Sequence, residues 1–413
     1  MTPLFKPILL AAASLTLVCA CQRIKTPAES KLFKPFVDPE SGVVSYVLQY
    51  GAPDDNRQSL YFTCKSMTND GRFLVFHYTE GNERKSEGAG PRHLMLADLK
   101  TDQVFDLGPS VMTPFIETDQ GYMVYGDRKR GFFRRDFTDP LREIKLCDIP
   151  AELSSLGEVR RLASHLTLSR DRKRAFLDTE IFTPEGRSRY IQGMLDLTTG
   201  AWDPWNETDW NCNHGQLNPV DDNLALVAWE GCWNEDGKAF QEETGWYPRM
   251  WLIRKGSKEL VPAKTINFAS HEIWDDDGKG LSWCSHGFMV DEHCVYHHDL
   301  ATGEEEVWAP IPGARHNSCS PDNKYVVTDQ APESWWRGCK WRVAFYNRET
   351  GKSVWLYSLR EPLMPKENQS RLHPDPHPHF VSNGQYVIST ASNADGHMDL
   401  FVTPVAQMVE MTR

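Results

Sequence analysis

Three histidines lie within seven residues in the segment HPDPHPHF, which runs from His373 to Phe380. His377 and His379 stand two positions apart, so on an extended strand both side chains project from the same face. Two neutral imidazole rings on one face can bind a divalent metal ion. The prolines between them cannot donate to a central strand, which favours a strand entrance or a sheet rim. A surface loop rich in proline and histidine is the alternative, since two histidines do not complete a metal site.

A repeated pattern predicts the elements that position these histidines. A turn rich in Asp, Asn and Gly, followed by a short apolar run, occurs seven times at intervals of 45 to 61 residues. The turns lie near Asp70, Gln120, Asp171, Asp222, Asp277, Asp322 and Asn383. This period matches one four-stranded propeller blade, and most copies contain a second hairpin signal such as DLTTG. The sequence therefore predicts an all-β, seven-bladed β-propeller over residues 41–413, with a pair of β-sandwiches as the alternative. We expect a strand near residues 43–50 to close the ring by pairing with residues near 401–405.

Four histidines share one position in this repeat. His271 and His316 lie just before the fifth and sixth turns, as His377 and His379 lie just before the seventh. Equivalent positions at the entry to each blade surround the central channel, so we expect these side chains to converge at one end of it. Hydrogen-bonded structural histidines are the alternative. Histidines predicted to lie outside this register, on the surface or in hairpins, are His77, His93, His165 and His397.

Arg249 begins an apolar run in the fourth repeat and follows aromatic residues in GWYPRMWLI. A guanidinium that projects from this position toward the channel can bind a carboxylate through two parallel hydrogen bonds. A structural salt bridge is the alternative.

The first 40 residues differ in character from the rest of the chain. Residues 1–21 contain a lysine, an apolar stretch too short to span a bilayer, and the small residues Val18, Cys19 and Ala20 before Cys21. This pattern predicts a lipoprotein signal peptide with Cys21 as the lipid-modified N-terminus, and ordinary cleavage nearby is the alternative. Residues 22–40 are polar and are predicted to form a tether. We therefore expect an exported protein of the bacterial envelope that contacts the membrane only through the lipid anchor.

Export also changes how the cysteines are interpreted. Eight cysteines remain beyond Cys19 and Cys21, and disulfides are the default in an oxidising compartment. The candidate pairs are Cys284 with Cys294, Cys212 with Cys232, and Cys319 with Cys339. Free buried thiols are the alternative.

The formal net charge of −12 argues against a nucleic acid partner, because binding phosphate requires a basic face. An acidic oligosaccharide remains compatible with this charge if a local cluster of cations or a metal ion receives it.

The motifs resemble those of the oligogalacturonate lyases, seven-bladed propeller enzymes that use a divalent metal, typically manganese. The resemblance covers Tyr61 to Val405 and rests on an ordered set: Arg-Met-Trp, His-Glu-x-Trp, His-Asn-x-x-Ser-Pro-Asp and His-Pro-His. It implies that His316, His377 and His379 are metal ligands. It also implies that His271 is the general base and that Arg249 stabilises the substrate carboxylate. Imidazole ligands suit zinc, nickel or iron as well, so the expectation of manganese comes from the resemblance.

This chain departs from the family pattern at two positions. Pro374 stands where the family usually has a glutamine ligand, which leaves His373 or Asp375 as its replacement, with His373 taken as the fourth ligand. Trp229 stands where relatives often carry a histidine.

The reaction that the resemblance implies is β-elimination from a uronate, which needs removal of the C5 proton and loss of the oxygen at C4, leaving a 4,5-unsaturated product. A histidine outside the metal ligands can act as base, and cations can stabilise the charge that develops on the C6 carboxylate. A lipoprotein propeller that binds glycans or proteins without chemistry is the alternative. A glycoside hydrolase is a third possibility, and it would need a pair of carboxylates across the site.

Overall fold

The computed structural model describes residues 23–81, 92–110, 113–257, 259–285, 294–330, 342–357, 375–392 and 398–413. Within these ranges the chain forms 30 β-strands and three short helices. The strands make seven small antiparallel sheets arranged in a ring. The predicted all-β, seven-bladed β-propeller is therefore confirmed.

The chain begins with two strands that belong to the last sheet, β1 (Phe33–Val37) and β2 (Val44–Leu48). The first sheet contains β3 (Asn56–Gln58), β4 (Phe73–Thr79), β5 (His93–Asp98) and β6 (Gln103–Pro109). The second contains β7 (Phe115–Glu117), β8 (Tyr122–Asp127), β9 (Gly131–Asp136) and β10 (Ile144–Cys147), and is followed by helix α1 (Ala151–Ser154). The third contains β11 (Glu158–Arg161), β12 (Thr167–Leu168), β13 (Arg174–Phe182), β14 (Ser188–Asp196) and β15 (Trp202–Thr208).

The next three sheets each have four strands. The fourth contains β16 (Cys212–Leu217), β17 (Leu224–Trp229), β18 (Met250–Arg254) and β19 (Val261–Pro262), with helix α2 (Glu235–Thr244) between β17 and β18. The fifth contains β20 (Ala269–Trp274), β21 (Gly280–Ser285), β22 (Val295–Asp299) and β23 (Glu305–Ala309). The sixth contains β24 (Ala314–Cys319), β25 (Tyr325–Gln330), β26 (Arg342–Asn347) and β27 (Lys352–Trp355).

The seventh sheet joins the two ends of the chain. It contains β28 (His379–Val381), β29 (Tyr386–Ser392) and β30 (Met398–Pro404), followed by helix α3 (Val405–Met411), and its strand order is β1-β2-β30-β29-β28. Val47 of β2 lies opposite Phe401 of β30, so the predicted closing pair is confirmed. The side chain of Gln407 in α3 strengthens the closure, because it accepts from the backbone N–H of Val44 at 2.9 Å and donates to its carbonyl at 2.6 Å.

The recurring aspartates have a local structural reason. Asp171 accepts hydrogen bonds from the Ser169 hydroxyl at 2.6 Å and from the backbone N–H of Lys173 at 3.1 Å, which closes the turn between β12 and β13. Asp322 accepts in the same way from the Ser320 hydroxyl at 2.7 Å. Short side chains that bond to nearby backbone groups favour turns, so the repeated aspartate sets the position of the first hairpin.

Apolar side chains pack between neighbouring sheets. Between the first and second sheets, for example, Val75 and Leu96 pack with Met123 and Phe133 in one buried cluster. Burying one side chain of this size stabilises the fold by about 1.5 to 3 kcal/mol. The first strands of the sheets face inward instead, and residues of β7, β12, β16 and β20 line a common central cavity of about 390 Å³.

Two sequence-based expectations are corrected by the fold. Phe33–Val37 form β1 and pair with β2, so the predicted tether of residues 22–40 extends too far into the folded body. The hairpin register explains why Cys284 is a free buried thiol: Val295, and not Cys294, lies opposite it. Cys212 lies opposite Trp229, three positions short of Cys232, and both of these cysteines are free thiols as well. The third predicted pair includes Cys339, which lies outside the described residues.

Among the described residues, no helix has the length and apolar character needed to cross a membrane. The predicted signal peptide, including Cys21, lies outside these residues.

Candidate metal and catalytic site

Irregular backbone positions the histidines at the end of the first strands that is opposite the turns. In β16 and β20 the pairing register shifts at the histidine, between Asn213 and Gln216 and between Ser270 and Ile273. His214, His271 and His377 all have a positive φ, at 53°, 55° and 45°. Bulges redirect side chains, and residues other than glycine rarely adopt a positive φ, a strain that clusters at functional sites. This concentration of strained histidines therefore marks this end of the first strands as the candidate site.

His316, Asp375 and His377 form a buried group suited to a metal ion. One ligand atom from each lies within 4.8 Å of the others. The two Nε2 atoms, of His316 and His377, lie 3.8 Å and 3.9 Å from the same oxygen, Oδ2 of Asp375. Two ligands that each lie about 2.1 Å from one ion are about 3 to 4 Å apart, so this donor set fits a divalent metal.

Asp329 determines which nitrogen of His316 faces this group. Its two carboxylate oxygens lie 2.7 Å from the backbone N–H and 2.7 Å from Nδ1 of His316. Nδ1 therefore donates to Asp329, and Nε2 is the nitrogen directed at Asp375. Metal-binding histidines commonly have such a carboxylate behind the ring, because it sets the tautomer and the ring orientation.

His379 lies beside the group and is not brought into it. Its Nδ1 bonds to the carbonyl of His377 at 2.9 Å, and its Nε2 lies 2.8 Å from the Ser66 hydroxyl. Burial lowers the pKa of His379 to about 4, so the ring is neutral. The bond from its Nδ1 to the carbonyl of His377 supports the loop that carries His377. His373, predicted as the fourth ligand, lies outside the described residues, whereas the alternative Asp375 belongs to the group.

His271 lies next to the group without belonging to it. Its ring centroid is 4.1 Å from that of His316, and its Nδ1 lies 3.1 Å from the Ser270 hydroxyl. The residue is half-buried, so part of it remains accessible to a ligand. These features suit a proton-transfer group beside a metal.

Arg249 is buried in an ion-pair network with two carboxylates. Its Nε and Nη2 donate to Glu272 at 3.2 and 3.4 Å, and its Nη1 donates to Glu230 at 3.0 Å. Burial opposes the charge of Glu272, but Arg249 and His214 outweigh it and hold the pKa of this carboxyl well below its ordinary value. Glu272 in turn accepts from Nδ1 of His214 at 3.1 Å. Arg249 therefore holds Glu272 in place and, through Glu272, also His214. This role does not depend on contact with a substrate.

Sequence reasoning missed several rings at the site. Tyr61 stacks on His165, with ring centroids 4.7 Å apart, and meets His377 edge-on at 4.8 Å. His165 meets His214 at 5.1 Å. Burial holds the pKa of His165 well below its ordinary value and that of Tyr61 well above, so both are neutral. The expectation that His165 is a surface or hairpin residue is wrong. It lies six residues before Asp171, the spacing that separates His271 from Asp277, and this signal identifies it.

Comparison with known proteins adds information on the fold. No protein-family model matches the chain, and no curated protein matches it. An oligogalacturonate lyase solved in complex with manganese is 20% identical, with a TM-score of 0.71, 90% of this chain covered and 96% of that one. An oligogalacturonate lyase from Vibrio parahaemolyticus is 19% identical, with the same TM-score and the same coverage. The β-propeller domain of the trilobed protease from Pyrococcus furiosus is 11% identical, with a TM-score of 0.51, 84% of this chain covered and 95% of that one. The chain thus has the overall fold of two oligogalacturonate lyases, and the resemblance predicted from the motifs is confirmed at the level of structure.

Proposed function

We propose that this protein is a lyase that cleaves uronate-containing oligosaccharides, oligogalacturonate first among them, by metal-assisted β-elimination. The observation that carries the proposal is the buried group of His316, Asp375 and His377 with the ring of His271 beside it. This group lies in a propeller whose fold is that of an oligogalacturonate lyase solved with manganese.

His316, Asp375 and His377 are the residues that would hold the metal ion. Two imidazoles and one carboxylate suit manganese and iron better than a set of imidazoles alone does, because the carboxylate oxygen is a harder ligand. We propose manganese, in keeping with the similar structure. When bound, a divalent ion supplies Lewis-acid stabilisation to the C6 carboxylate of a uronate and so makes the neighbouring C5 proton more acidic.

His271 is the proposed base that removes the C5 proton. A base must accept a proton at a ring nitrogen, so it cannot use the same nitrogen to bind a metal, and His271 lies outside the metal-binding group. Its ring is only half-buried and can therefore be reached by a sugar ring. Proton transfer by such a positioned group typically contributes about 10²- to 10⁴-fold to the rate.

Arg249 and His214 have proposed supporting roles. The predicted contact between Arg249 and the substrate carboxylate involves the Nη1 side of the guanidinium, where its partner Glu230 has a side chain 30% exposed. Glu272 orients His214 through Nδ1–H, so Nε2 is the nitrogen that can take a proton from solvent and, in the resulting imidazolium, donate it to the departing C4 oxygen. Arg249 keeps Glu272 ionised and thereby maintains this orientation.

The test is incubation with manganese and trigalacturonate while ultraviolet absorbance is followed, because elimination leaves a double bond conjugated to the carboxylate. We expect absorbance to rise with the wild type. His271→Ala should lose nearly all turnover and keep its metal, while His93→Ala should behave like the wild type, since His93 pairs with Asp106 at 2.8 Å outside the metal-binding group.

The same assay separates the other candidate functions. Cleavage without ultraviolet absorbance would indicate hydrolysis, and binding without cleavage would indicate a glycan-binding propeller. Full activity in His271→Ala would exclude the proposed base.

A further inference from the structure

A second cavity, of about 610 Å³, lies between the first three sheets and has a basic wall. Its basic lining residues are His77, Arg92, Arg128, Lys129, Arg160 and Arg161. Asp127 is the one carboxylate among the described residues that line it. In a chain with a formal net charge of −12, this is a strong local excess of positive charge.

The basic cavity opens on the same end of the propeller as the metal-binding group. The first strands run from the histidine end toward the turns, so the second strands, which are antiparallel to them, return to the histidine end. Asp127 ends the second strand β8, and Arg128 and Lys129 follow it in the turn to β9. All three therefore lie at the histidine end.

One stretch of backbone joins the two sites. Leu162, Ala163 and Ser164 line the basic cavity, and the next residue is His165, whose ring stacks on Tyr61 at 4.7 Å. Asp178 holds this wall in place, since it accepts from the backbone N–H of Ser164 at 2.7 Å. The wall of the basic cavity thus continues directly into the stacked rings of His165 and Tyr61, and Tyr61 contacts His377 of the metal-binding group.

Much of the positive charge in the cavity is not neutralised by protein carboxylates. Among the residues that the structure describes, no carboxylate oxygen lies within 4.0 Å of a charged nitrogen of Arg92, Arg128 or Lys129, whereas Arg161 approaches Glu180 at 3.6 Å. Burial, with a further contribution from the charge of Arg92, holds the pKa of His77 well below its ordinary value, so His77 is neutral and the positive charge of the cavity comes from its arginines and Lys129. The cavity is therefore prepared for an anionic ligand.

We propose that the basic cavity binds the carboxylates of sugar units beyond the bond that is cleaved, and so selects acidic oligosaccharides of three or more units. The inference rests on the proposed function, because it assigns the cavity to the same substrate. Arginine and lysine side chains bind carboxylates through charge-assisted hydrogen bonds, and neutral sugars offer no matching group.

The experiment compares two double variants that each lose two positive charges. Arg128→Gln with Lys129→Gln changes the basic cavity, and Lys279→Gln with Lys324→Gln changes exposed lysines beside the turns Asp277 and Asp322. Binding of tetragalacturonate is measured by calorimetry on manganese-loaded protein that carries His271→Ala, which prevents turnover. We expect the cavity variant to bind about tenfold more weakly and the turn variant to bind within about twofold of the parent. Fully methyl-esterified tetragalacturonate, which is neutral, should bind equally to both.

Two results would overturn the inference: equal tetragalacturonate affinity in the two double variants, or no measurable binding to the parent protein. Failure of the lyase proposal is recognised separately. In that case the wild type releases no product that absorbs in the ultraviolet, while tetragalacturonate binding still depends on Arg128 and Lys129.

Discussion

Replacing Asp329 by Asn should weaken metal binding although Asp329 is not itself a proposed ligand. Both carboxylate oxygens accept hydrogen bonds from His316, one from its backbone N–H and one from Nδ1, each at 2.7 Å. An asparagine has only one acceptor oxygen. The backbone N–H cannot change its role, so the amide nitrogen is turned toward Nδ1. That ring nitrogen must then accept, and the proton moves to Nε2.

The consequence for the metal follows from this tautomer. Nε2 of His316 is the atom directed at Asp375 and at the proposed ion, and a protonated nitrogen has no lone pair to offer. Loss of the carboxylate behind a metal-binding histidine typically costs about 10- to 100-fold in metal affinity, which corresponds to about 1.4 to 2.8 kcal/mol. Because Asn has nearly the same volume as Asp, the buried packing around residue 329 should be preserved.

Titration with manganese, followed by the electron paramagnetic resonance signal of the free ion, measures this loss directly. Asp106→Asn is the matched control, because Asp106 also accepts from a histidine Nδ1, that of His93 at 2.8 Å, outside the metal-binding group. The reasoning is refuted if Asp329→Asn binds manganese within twofold of the wild type, or if Asp106→Asn shows the same loss.

Three further predictions follow from the same structure. His377→Ala should abolish manganese retention on gel filtration. His379→Ala should keep most of the manganese, because the His379 ring bonds to Ser66 and to the carbonyl of His377 and not to the metal-binding group. Equal losses of manganese in the two variants would make His379 a ligand. Glu272→Gln should lower the free energy of unfolding in urea by about 3 kcal/mol, since it breaks a buried ion pair, whereas Asp148→Asn, in an exposed pair with Lys145, should change it by less than about 1 kcal/mol. The folded-state pKa of Glu272 lies below its ordinary 4.5, so the stability that Glu272 contributes is present above pH 4.5 and is lost as the pH falls toward that lower pKa. A difference in the free energy of unfolding between the wild type and Glu272→Gln that stays constant from pH 7 to strong acid would contradict this. Finally, Cys21→Ser should abolish lipid labelling and release soluble protein, and unchanged labelling would rule out the proposed anchor.

The fold could be predicted from the sequence because the residues that form its turns act locally and recur once in each blade. Four of the turn aspartates accept a hydrogen bond from a backbone N–H of their own turn, so the residue type marks the turn: Asp70, Asp171, Asp277 and Asp322. Counting these turns yields the number of blades. The pairing of β2 with β30 could be predicted too. The apolar strand β2 precedes the first repeat, and the sheet of the last repeat still needs a strand to be complete.

The site was harder to predict because it depends on register and on contacts between repeats. His214 lies in a bulge of β16, as His271 lies in a bulge of β20, but it stands eight residues before Asp222 and so lacks the six-residue spacing to the turn aspartate that His165 and His271 share. Nε2 of His377 lies 3.9 Å from Oδ2 of Asp375. This approach depends on the positive φ of His377, which the spacing of residues in the sequence does not reveal. A one-residue offset in the hairpin likewise separates Cys284 from Cys294, and spacing alone cannot show it.

The pairing of β2 with β30 also affects how the chain is made. The hydroxyl of Ser45 bonds to that of Thr403, which is synthesised 358 residues later. Six sheets can therefore form before β2 pairs with β30, and until then the ring is open between the sixth and first sheets. An unpaired strand edge is a template for association with other chains, and pairing across so long a loop is slow. A chain that stops before Met398 would remain an open ring with two exposed edges, so premature termination should yield aggregates instead of a smaller propeller.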